Sequence, residues 1–498
     1  MSDVAAAGRL IRSCWVLLRA DVLIPREVDP ILPPSARAVA RTLRIFAGPE
    51  ARAGRPGQRL ARAFENLGPA TIKLGQVLST RADIFGRQFA DDLGRLKDQL
   101  PPFPTEIAKA AIAETLGSPV EALFTEFSEP IAAASLAQAH SARLADGRKV
   151  AVKVLRPGVE RRVAADLEML ALAARLTERF VEPARRLNPV AAIATVARSM
   201  TLELDLRLEA AGASELREIM DLDRFMRAPK IVWPGVGKRA LTIEWAQGMA
   251  LSDPAALEQP GIDHRGLADN LVRAFLAQAL DHGVFHADLH EGNLFVSAPA
   301  TITAVDFGII GRLDAVARRH LAEILWGFLQ RDYTRVAKAH FDAGYVPGHH
   351  SLPAFAQALR AVGEPAIGRA SAEVSMGRLL GLLFEITAIF DMKLRPELVL
   401  LQKTMVTVEG VARRIDPTHN LWASAEPVVK RWITRELSPV TRVKELVEDG
   451  ERIIKALAKL ADPPPVVIVE RAPMRLLWFA VGAAVAGLAF LAMALLHR

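Results

Sequence analysis

The sequence predicts an α+β fold of two lobes, with a helical extension before the lobes and one membrane-spanning helix after them. Three observations lead to this prediction. Alternating apolar residues between 131 and 154 predict a small sheet, and strand patterns return around residues 230–245. The segment 263–420 has mostly helical periodicity. A long uncharged run lies near the end of the chain, at residues 476–496.

Length and composition favour a folded protein of several units. The chain has 498 residues, of which 51% are hydrophobic and 24% are charged, too apolar for a disordered chain and too charged for a polytopic membrane protein. The formal net charge of +7 suits nucleic acid or an anionic membrane surface. The terminal apolar run favours the membrane, so we expect no nucleic-acid partner. Cys14 is the only cysteine, which excludes an intrachain disulfide.

Residues 1–120 are predicted to form the helical extension. The apolar run 14–18 follows Arg9 and Arg12 but is interrupted by Arg19, which leaves it too short for a signal-peptide core. We expect an amphipathic helix there, with a cleaved presequence as the alternative. Proline breaks separate the later helices, at Pro33, Pro34, Pro101, Pro102 and Pro104.

The C-terminal segment predicts a membrane anchor. Residues 476–496 carry no charge, and at about 1.5 Å per helical residue they span the roughly 30 Å core of a bilayer. Residues 436–475 before them read as an amphipathic helix followed by a proline-rich linker. Arg471 and Arg475 precede the run, and the positive-inside rule then places the large domain in the cytoplasm.

The predicted sheet contains a candidate phosphate-binding lysine. Lys153 stands in the alternating segment 150–154, where a strand lysine can contact the α- and β-phosphates of a nucleotide. The segment Ala132, Ala133, Ala134, Ser135 precedes it, where backbone N–H groups can cover the phosphates. Alanine forbids most left-handed backbone conformations, so we expect this loop to be stiffer than a glycine-rich one.

The most specific pattern is His286-x-Asp288 with Asn293 five residues after Asp288, followed by Asp306-Phe307-Gly308. Asn293 and Asp306 can converge on one Mg²⁺, and Asp288 can then face the acceptor hydroxyl. With Lys153 upstream, this spacing predicts a bilobal protein-kinase-like fold that binds ATP and Mg²⁺. Its N-lobe is placed at residues 121–248 and its helical C-lobe at residues 249–435.

Other parts of the pocket follow less directly. Glu203, Asp205 and Glu209 are candidate partners of Lys153, and the sequence alone does not choose among them. Glu244, with Trp245 and Gly248, occupies the place of the hinge that meets adenine. No Ser, Thr or Tyr lies between Asp306 and Tyr333, and no Ala-Pro-Glu segment follows, which disfavours an ordinary protein kinase.

Over roughly residues 15–420 the chain resembles the UbiB/ADCK group of atypical kinases. The resemblance rests on the motifs above and on a K-x-G-Q segment at residues 73–76, together with an E-x-D element at Glu203 and Asp205. It implies that the helical extension folds over the nucleotide site, so that Lys73 and Gln76 enter the pocket. It also implies that Glu209 pairs with Lys153 and that Glu203 is available to Lys73.

Two departures from the family pattern stand out. Glu291 occupies a catalytic-loop position where the family commonly has proline, so a negative charge lies near the metal or points to solvent. One terminal helix is predicted where relatives often show two.

The resemblance implies a function in lipid metabolism. The leading hypothesis is a membrane-anchored atypical kinase or ATPase that supports prenyl-lipid (ubiquinone) biosynthesis from the bacterial inner membrane. The alternative is a nucleotide-dependent lipid-binding or regulatory module of a biosynthetic complex, without net phosphoryl transfer. The expected partners are a membrane lipid or prenylated quinone precursor, ubiquinone biosynthesis proteins and a second copy of the chain in a homodimer.

Overall fold

The computed structural model describes residues 3–23, 25–31, 34–79, 86–94, 96, 101–180, 188–367, 386, 389–392 and 396–436. The chain divides into two compact units, residues 1–434 and 435–498, and the architecture below is that of the first.

The described α-helices are α1 (Asp3–Arg19), α2 (Pro34–Leu43), α3 (Pro56–Leu67), α4 (Pro69–Ser79), α5 (Arg87–Leu93), α6 (Thr105–Leu116), α7 (Val159–Phe180), α8 (Pro189–Glu203), α9 (Leu206–Asp223), α10 (His264–Ala277), α11 (Ala315–Leu329), α12 (Tyr333–Asp342), α13 (Leu352–Ile367), α14 (Pro396–Ile415) and α15 (Leu421–Glu436). The described strands are β1 (Phe124–Ala133), β2 (Ala137–Leu144), β3 (Lys149–Leu155), β4 (Ala240–Glu244), β5 (Met249–Ala250), β6 (Val284–His286), β7 (Leu294–Ser297), β8 (Thr301–Ala304) and β9 (Ile310–Arg312).

The sheet lobe consists of β1–β4 with α6–α9. Its four strands form an antiparallel sheet in the order β1-β2-β3-β4. Val150, Val152 and Val154 point to one face of β3, where they are fully buried against a core that includes Ala111 and Ile112 of α6. Because side chains alternate along a strand, Lys153 points to the opposite face, toward α9.

The first strand begins earlier than the sequence pattern indicated, at Phe124 instead of residue 131. Its register with β2 shifts between Phe124 and Glu126 and again on either side of Pro130. Such β-bulges break the period of two that a strand prediction depends on. Proline is tolerated there because β1 is at the edge of the sheet.

The helical extension packs against the sheet lobe through α1 and α4. Ala70 of α4 lies in one core with Met169, Leu170 and Ile193 of α7 and α8. The extension also has a polar interior, in which the buried Arg59 guanidinium donates to both carboxylate oxygens of Glu27. A buried guanidinium needs such partners, since an unpaired buried charge is costly.

The helical lobe, residues 251–436, is built around α10. Most of the apolar side chains of α10 are fully buried, and Phe275 meets Phe285 of β6 edge to face with ring centroids 5.7 Å apart. The helix passes into one π-helical turn, Gln278–His282, which buries Gln278 beneath β6. Two small sheets, β5-β7-β8 and β6-β9, carry the motif loops on top of this core.

The predicted membrane localisation is corrected by the structure. None of the helices within the described ranges is both long enough and apolar enough to cross a bilayer. The segment 476–496, on which the single-pass prediction rested, lies outside the described residues, as does the predicted linker beyond residue 436. The two-lobed α+β part of the fold prediction is confirmed, and the single-pass membrane localisation is withdrawn.

Two glycines test the packing of the helical lobe. A Cβ at Gly311 of β9 would overlap the ring of the fully buried Phe285, whereas a Cβ at Gly410, exposed on α14, meets nothing within 4 Å. We expect Gly311→Ala to lower the free energy of unfolding by about 1–3 kcal/mol through overpacking. Gly410→Ala should raise it by about 0.5–1 kcal/mol through helix propensity. Denaturant unfolding measures both, and equal effects would contradict this packing.

Candidate nucleotide site

Lys153 contacts two carboxylates that come from different lobes. Its Nζ donates to Oε1 and Oε2 of Glu209, at 2.8 and 3.0 Å, and to Oδ1 of Asp306 at 3.1 Å. Glu209 lies in the first turn of α9, and Asp306 lies in the loop between β8 and β9. We call these three residues the Lys153 cluster. It joins the sheet lobe to the helical lobe.

Burial and charge act against each other in the Lys153 cluster. Burial alone would lower the pKa of Lys153, but the Asp306 and Glu209 carboxylates outweigh it and raise that pKa above its usual value. The Lys153 ammonium holds the pKa of Asp306 below its usual value. Burial raises the pKa of Glu209, and the Lys153 ammonium opposes that shift only in part. At neutral pH, Lys153 and Asp306 are therefore both charged.

Asp306 is placed so that its carboxylate can reach a cation. Its side chain is half exposed, and its backbone has φ +61°, a left-handed conformation that aspartate tolerates better than most residues. The preceding residue, Val305, donates its N–H to the carbonyl of Asn293 at 2.9 Å. This bond sets the start of the Asp306 loop beside Asn293, as the motif spacing predicted.

His286 orients the catalytic loop from within the core. The Asp288 N–H donates to His286 Nδ1 at 3.1 Å, and His286 Nε2 lies 3.2 Å from the carbonyl of Val305. Together these contacts require the neutral imidazole with its proton on Nε2. Burial lowers the pKa of His286, which favours the same state. Gln278 accepts the backbone N–H of His286, so the π-helical turn also supports the loop.

Asp288 and Asn293 face the cleft with different degrees of exposure. The Asn293 side-chain amide donates from Nδ2 to the carbonyl of Asp288 at 3.0 Å, which leaves Oδ1 as the atom suited to a cation. The Asp288 carboxylate is about one-third exposed and lies 3.7 Å from Nε2 of His290. It is therefore accessible to a small acceptor group.

The far side of the catalytic loop is held by α14. Glu291 pairs with Arg414, so its charge is used in an ion pair with α14. The Thr404 hydroxyl donates to the carbonyl of Ala287 at 3.0 Å in a buried position. No sequence pattern singles out Thr404, Arg414 or Gln278. Their residue types are ordinary for helices, and only their positions in three dimensions connect them with the loop.

The alanine-rich segment continues from the edge strand. Ala132 and Ala133 end β1, and Ser135 is buried. The carbonyl of Ala134 accepts the Arg156 Nε–H at 2.8 Å, and the Ala134 N–H donates to the carbonyl of Ala137. None of these four segment residues has a positive φ. The loop is therefore tied in place by Arg156, which the sequence did not single out.

The three acidic candidates are separated by the structure. Glu209 pairs with Lys153, while Glu203 at the end of α8 pairs with Lys73 of the extension. Asp205 instead caps α9 by accepting the backbone N–H of Arg207, and it also pairs with the Arg207 guanidinium. A capping aspartate of this kind stabilises a helix start, so its local contacts are structural.

At the predicted hinge, the backbone N–H groups of Glu244 and Trp245 already donate hydrogen bonds within the protein. The Glu244 N–H donates to the carbonyl of Lys230, and the Trp245 N–H donates to the carbonyl of Lys149. The Glu244 carboxylate accepts from Arg148 at 3.0 Å. Gly248 has φ +99°, and a Cβ there would overlap the carbonyl of Val296, so the turn requires glycine.

A mostly apolar cavity of about 1400 Å³ adjoins the Lys153 cluster. The extension, α7, α8, α9, the loop after Asp306 and α14 all contribute to its wall. Lys73, Gln76, Glu203 and Glu209 are the polar residues of the wall that the sequence analysis had named. The structure thus brings the K-x-G-Q segment next to the candidate nucleotide site, with Lys73 held there by Glu203.

The fold and the site define an atypical-kinase-like protein. Residues 95–340 match the ABC1 atypical kinase-like domain, and residues 359–420 match the UbiB helical domain. The second match contains Thr404 and Arg414, which hold the catalytic loop.

The chain belongs to the UbiB family. It is 40% identical over 450 residues to a protein of Marinobacter nauticus called probable protein kinase UbiB, an alignment that covers 88% of this chain and 81% of the relative. A protein of Pseudomonas paraeruginosa with the same name is 39% identical over 402 residues, with 80% of this chain and 75% of the relative covered. The family resemblance seen in the sequence is thereby confirmed.

A solved structure supports the fold alone. It is titled as the complex of Rv3197 and erythromycin from Mycobacterium tuberculosis, and it matches with a TM-score of 0.50 at 22% identity. The match covers 73% of this chain and 93% of the other.

Removing the buried imidazole of His286 tests how the loop is supported. His286→Ala leaves the Asp288 N–H and the Val305 carbonyl without their partner, and we expect a loss of about 2–4 kcal/mol in the free energy of unfolding. His290→Ala, at a half-exposed position in the same loop, should cost less than about 1 kcal/mol. Urea unfolding compares the two variants.

The variants His286→Ala and His290→Ala should also differ in how their free energy of unfolding depends on pH. Because the pKa of His286 is lowered in the folded state, the wild type loses stability as the pH falls below the unfolded value of about 6.5. His286→Ala should show a shallower loss over that range than His290→Ala. Parallel pH profiles would mean that His286 is not the buried neutral group described above.

Proposed function

We propose that this protein is an atypical kinase or ATPase that uses ATP and Mg²⁺ in support of prenyl-lipid (ubiquinone) biosynthesis. The observation that carries the proposal is the Lys153 cluster. In it, a lysine on a sheet strand holds a helix glutamate and the aspartate of the Asp-Phe-Gly loop at 2.8–3.1 Å. A site that had lost phosphoryl transfer would not need all three groups in one place.

The residues present fit ATP with Mg²⁺. Asp306 offers a half-exposed carboxylate, and Asn293 offers an amide oxygen from the adjoining strand start. Both are oxygen ligands of the kind that Mg²⁺ prefers. The Lys153 ammonium can exchange part of its contact with Asp306 for phosphate oxygens while Glu209 keeps it in place. When bound, ATP supplies the phosphoryl group and Mg²⁺ neutralises its charge.

Asp288 would orient the acceptor hydroxyl. Its carboxylate is partly open to the cleft, and its backbone is fixed by His286 on one side and by Asn293 on the other. In phosphoryl transfer the transition state is largely dissociative. The carboxylate that accepts the hydroxyl proton therefore contributes more by positioning the hydroxyl than by its basicity. The two contacts of α14 with the loop, through Thr404 and Arg414, serve the same positioning.

The apolar cavity favours a lipid as the molecule acted on. It is large enough for a prenyl chain, since ligand pockets for drug-sized molecules hold roughly 300–1,000 Å³. Leu202 and Leu208 of its wall remain largely exposed, so their apolar side chains are available to contact an apolar ligand. The family resemblance implies that the extension covers the nucleotide site, which disfavours a peptide substrate, and Lys73 and Gln76 do line the cavity. The name UbiB of the relatives supports a prenylated quinone precursor as the ligand.

The cavity also supports the alternative function. A nucleotide-dependent lipid-binding or regulatory module of a biosynthetic complex would use the same pocket without transferring a phosphoryl group. Its partners would be ubiquinone biosynthesis proteins, and the chain could act as a homodimer. The two functions differ in whether a phosphorylated product forms.

Asp306→Asn should abolish function while keeping the shape of the side chain. We expect ATP turnover to fall at least about a hundredfold, because the amide cannot neutralise Mg²⁺ or pair with Lys153. Asp332→Asn is the matched control, since Asp332 caps α12 and asparagine caps a helix equally well. A knockout strain carrying wild type or Asp332→Asn should make ubiquinone, and one carrying Asp306→Asn should not. A normal ubiquinone level in the strain carrying Asp306→Asn would contradict the proposal.

The choice between the two functions depends on Asp288. Incubation with labelled ATP and a quinone-precursor extract should give a phosphorylated product with wild type and none with Asp288→Asn. ATP hydrolysis without a labelled product would support the ATPase form, and nucleotide binding without hydrolysis would support the regulatory module.

Filling the cavity tests the lipid part separately. Ala192 of α8 lines the cavity, whereas Ala194 on the same helix is exposed and outside its wall. Ala192→Phe should weaken binding of a prenylated phenol by about tenfold or more, while Ala194→Phe leaves it unchanged. Equilibrium dialysis measures the phenol, and a fluorescent nucleotide checks that ATP binding is intact. Equal phenol binding by both variants would rule out this cavity as the lipid site.

A further inference from the structure

A cluster of His349, His350 and Asp391 lies outside the nucleotide site. His349 and His350 belong to the connection between α12 and α13, and Asp391 belongs to the short described segment 389–392. Among the residues that the structure describes, these three form the one group of histidines and carboxylates whose donor atoms all lie within 4.8 Å of one another. We propose that they bind a divalent transition-metal ion, with Zn²⁺ as the best match.

The distances between the donor atoms fit a tetrahedral ion. Two ligands at zinc–donor bonds of about 2.0–2.1 Å and a tetrahedral angle are separated by about 3.4 Å. In the structure, Oδ2 of Asp391 lies 3.2 Å from Nε2 of His350 and 3.8 Å from Nε2 of His349. Both imidazoles therefore aim the same nitrogen at one carboxylate oxygen, at separations close to the tetrahedral value.

The donor set selects the kind of metal. Two imidazole nitrogens and one carboxylate oxygen suit zinc and its neighbours in the transition series, whereas Mg²⁺ and Ca²⁺ prefer oxygen ligands alone. The rings of His349 and His350 lie beside each other, with their centroids 4.1 Å apart. Three protein ligands leave the fourth position to water.

Part of the cluster is organised before any ion binds. The ring of His350 packs 5.3 Å from that of Phe390, which belongs to the core of the helical lobe. Asp391 has φ +50°, a left-handed conformation that is uncommon for a residue with a side chain and is concentrated at functional positions. An ion bound here would link the α12–α13 connection to Asp391. The next residue, Met392, lines the apolar cavity.

The test is zinc titration of the full-length chain, purified without a polyhistidine tag. We expect one Zn²⁺ per chain, and at least about tenfold weaker binding in each of His349→Ala, His350→Gln and Asp391→Asn. Asp391→Asn should not disturb folding, because asparagine tolerates the left-handed backbone as aspartate does. His349→Ala should not disturb it either, because His349 is mostly exposed. His264→Gln removes an exposed histidine elsewhere and serves as the matched control.

Two further readouts make the outcome decisive. Zn²⁺ should raise the melting temperature of wild type and of His264→Gln, but not of Asp391→Asn, because a ligand stabilises only the state that binds it. Co²⁺ in place of zinc should give the intense visible absorption of a tetrahedral site, and His349→Ala should lose it. No stoichiometric zinc in wild type, or undiminished binding in all three variants, overturns the proposal. Neither readout involves ATP, so the result is independent of the proposed catalytic function.

Discussion

Lys153 carries one positive charge between two carboxylates that the chain supplies from positions 56 and 153 residues further along. Glu209 extends from the first turn of α9, which packs on the sheet at that end, and Asp306 extends from a loop on the helical lobe. An ammonium partly removed from water is stable when paired, so this cluster ties the two lobes together at the cleft. The alternating pattern of β3, which buries its valines on the other face, is what makes Lys153 available to it.

The second constraint is the support of the catalytic loop. Phosphoryl transfer depends on groups held to within fractions of an ångström, and a loop alone does not provide that precision. Here a buried neutral imidazole holds the loop from inside through His286, and α14 holds it from behind through Thr404 and Arg414. The departure at Glu291 fits this arrangement, because its charge is used in the ion pair with Arg414. The segment that matches the UbiB helical domain thereby supports the loop of the candidate nucleotide site.

Local patterns and long-range packing contributed differently to what the sequence could predict. The two-lobed α+β fold and the motif residues follow from short segments in which neighbours along the chain determine the geometry. The start of β1 was missed because bulges interrupt its alternation. The ties from Arg156 and from α14 were missed because they join residues that are distant in sequence, and their residue types carry no local signal.

The sequence by itself determined which residues are candidates for the chemistry: Lys153, Asp288, Asn293 and Asp306 are recognisable from type and spacing alone. The tertiary structure decided what each of them meets. It assigned Glu209 to Lys153 and Glu203 to Lys73, and it made Asp205 a helix cap, although all three acids lie within seven residues of one another. The physical reason is that an ion pair forms over about 3 Å in space, and only the packing of α4, α8 and α9 sets those distances.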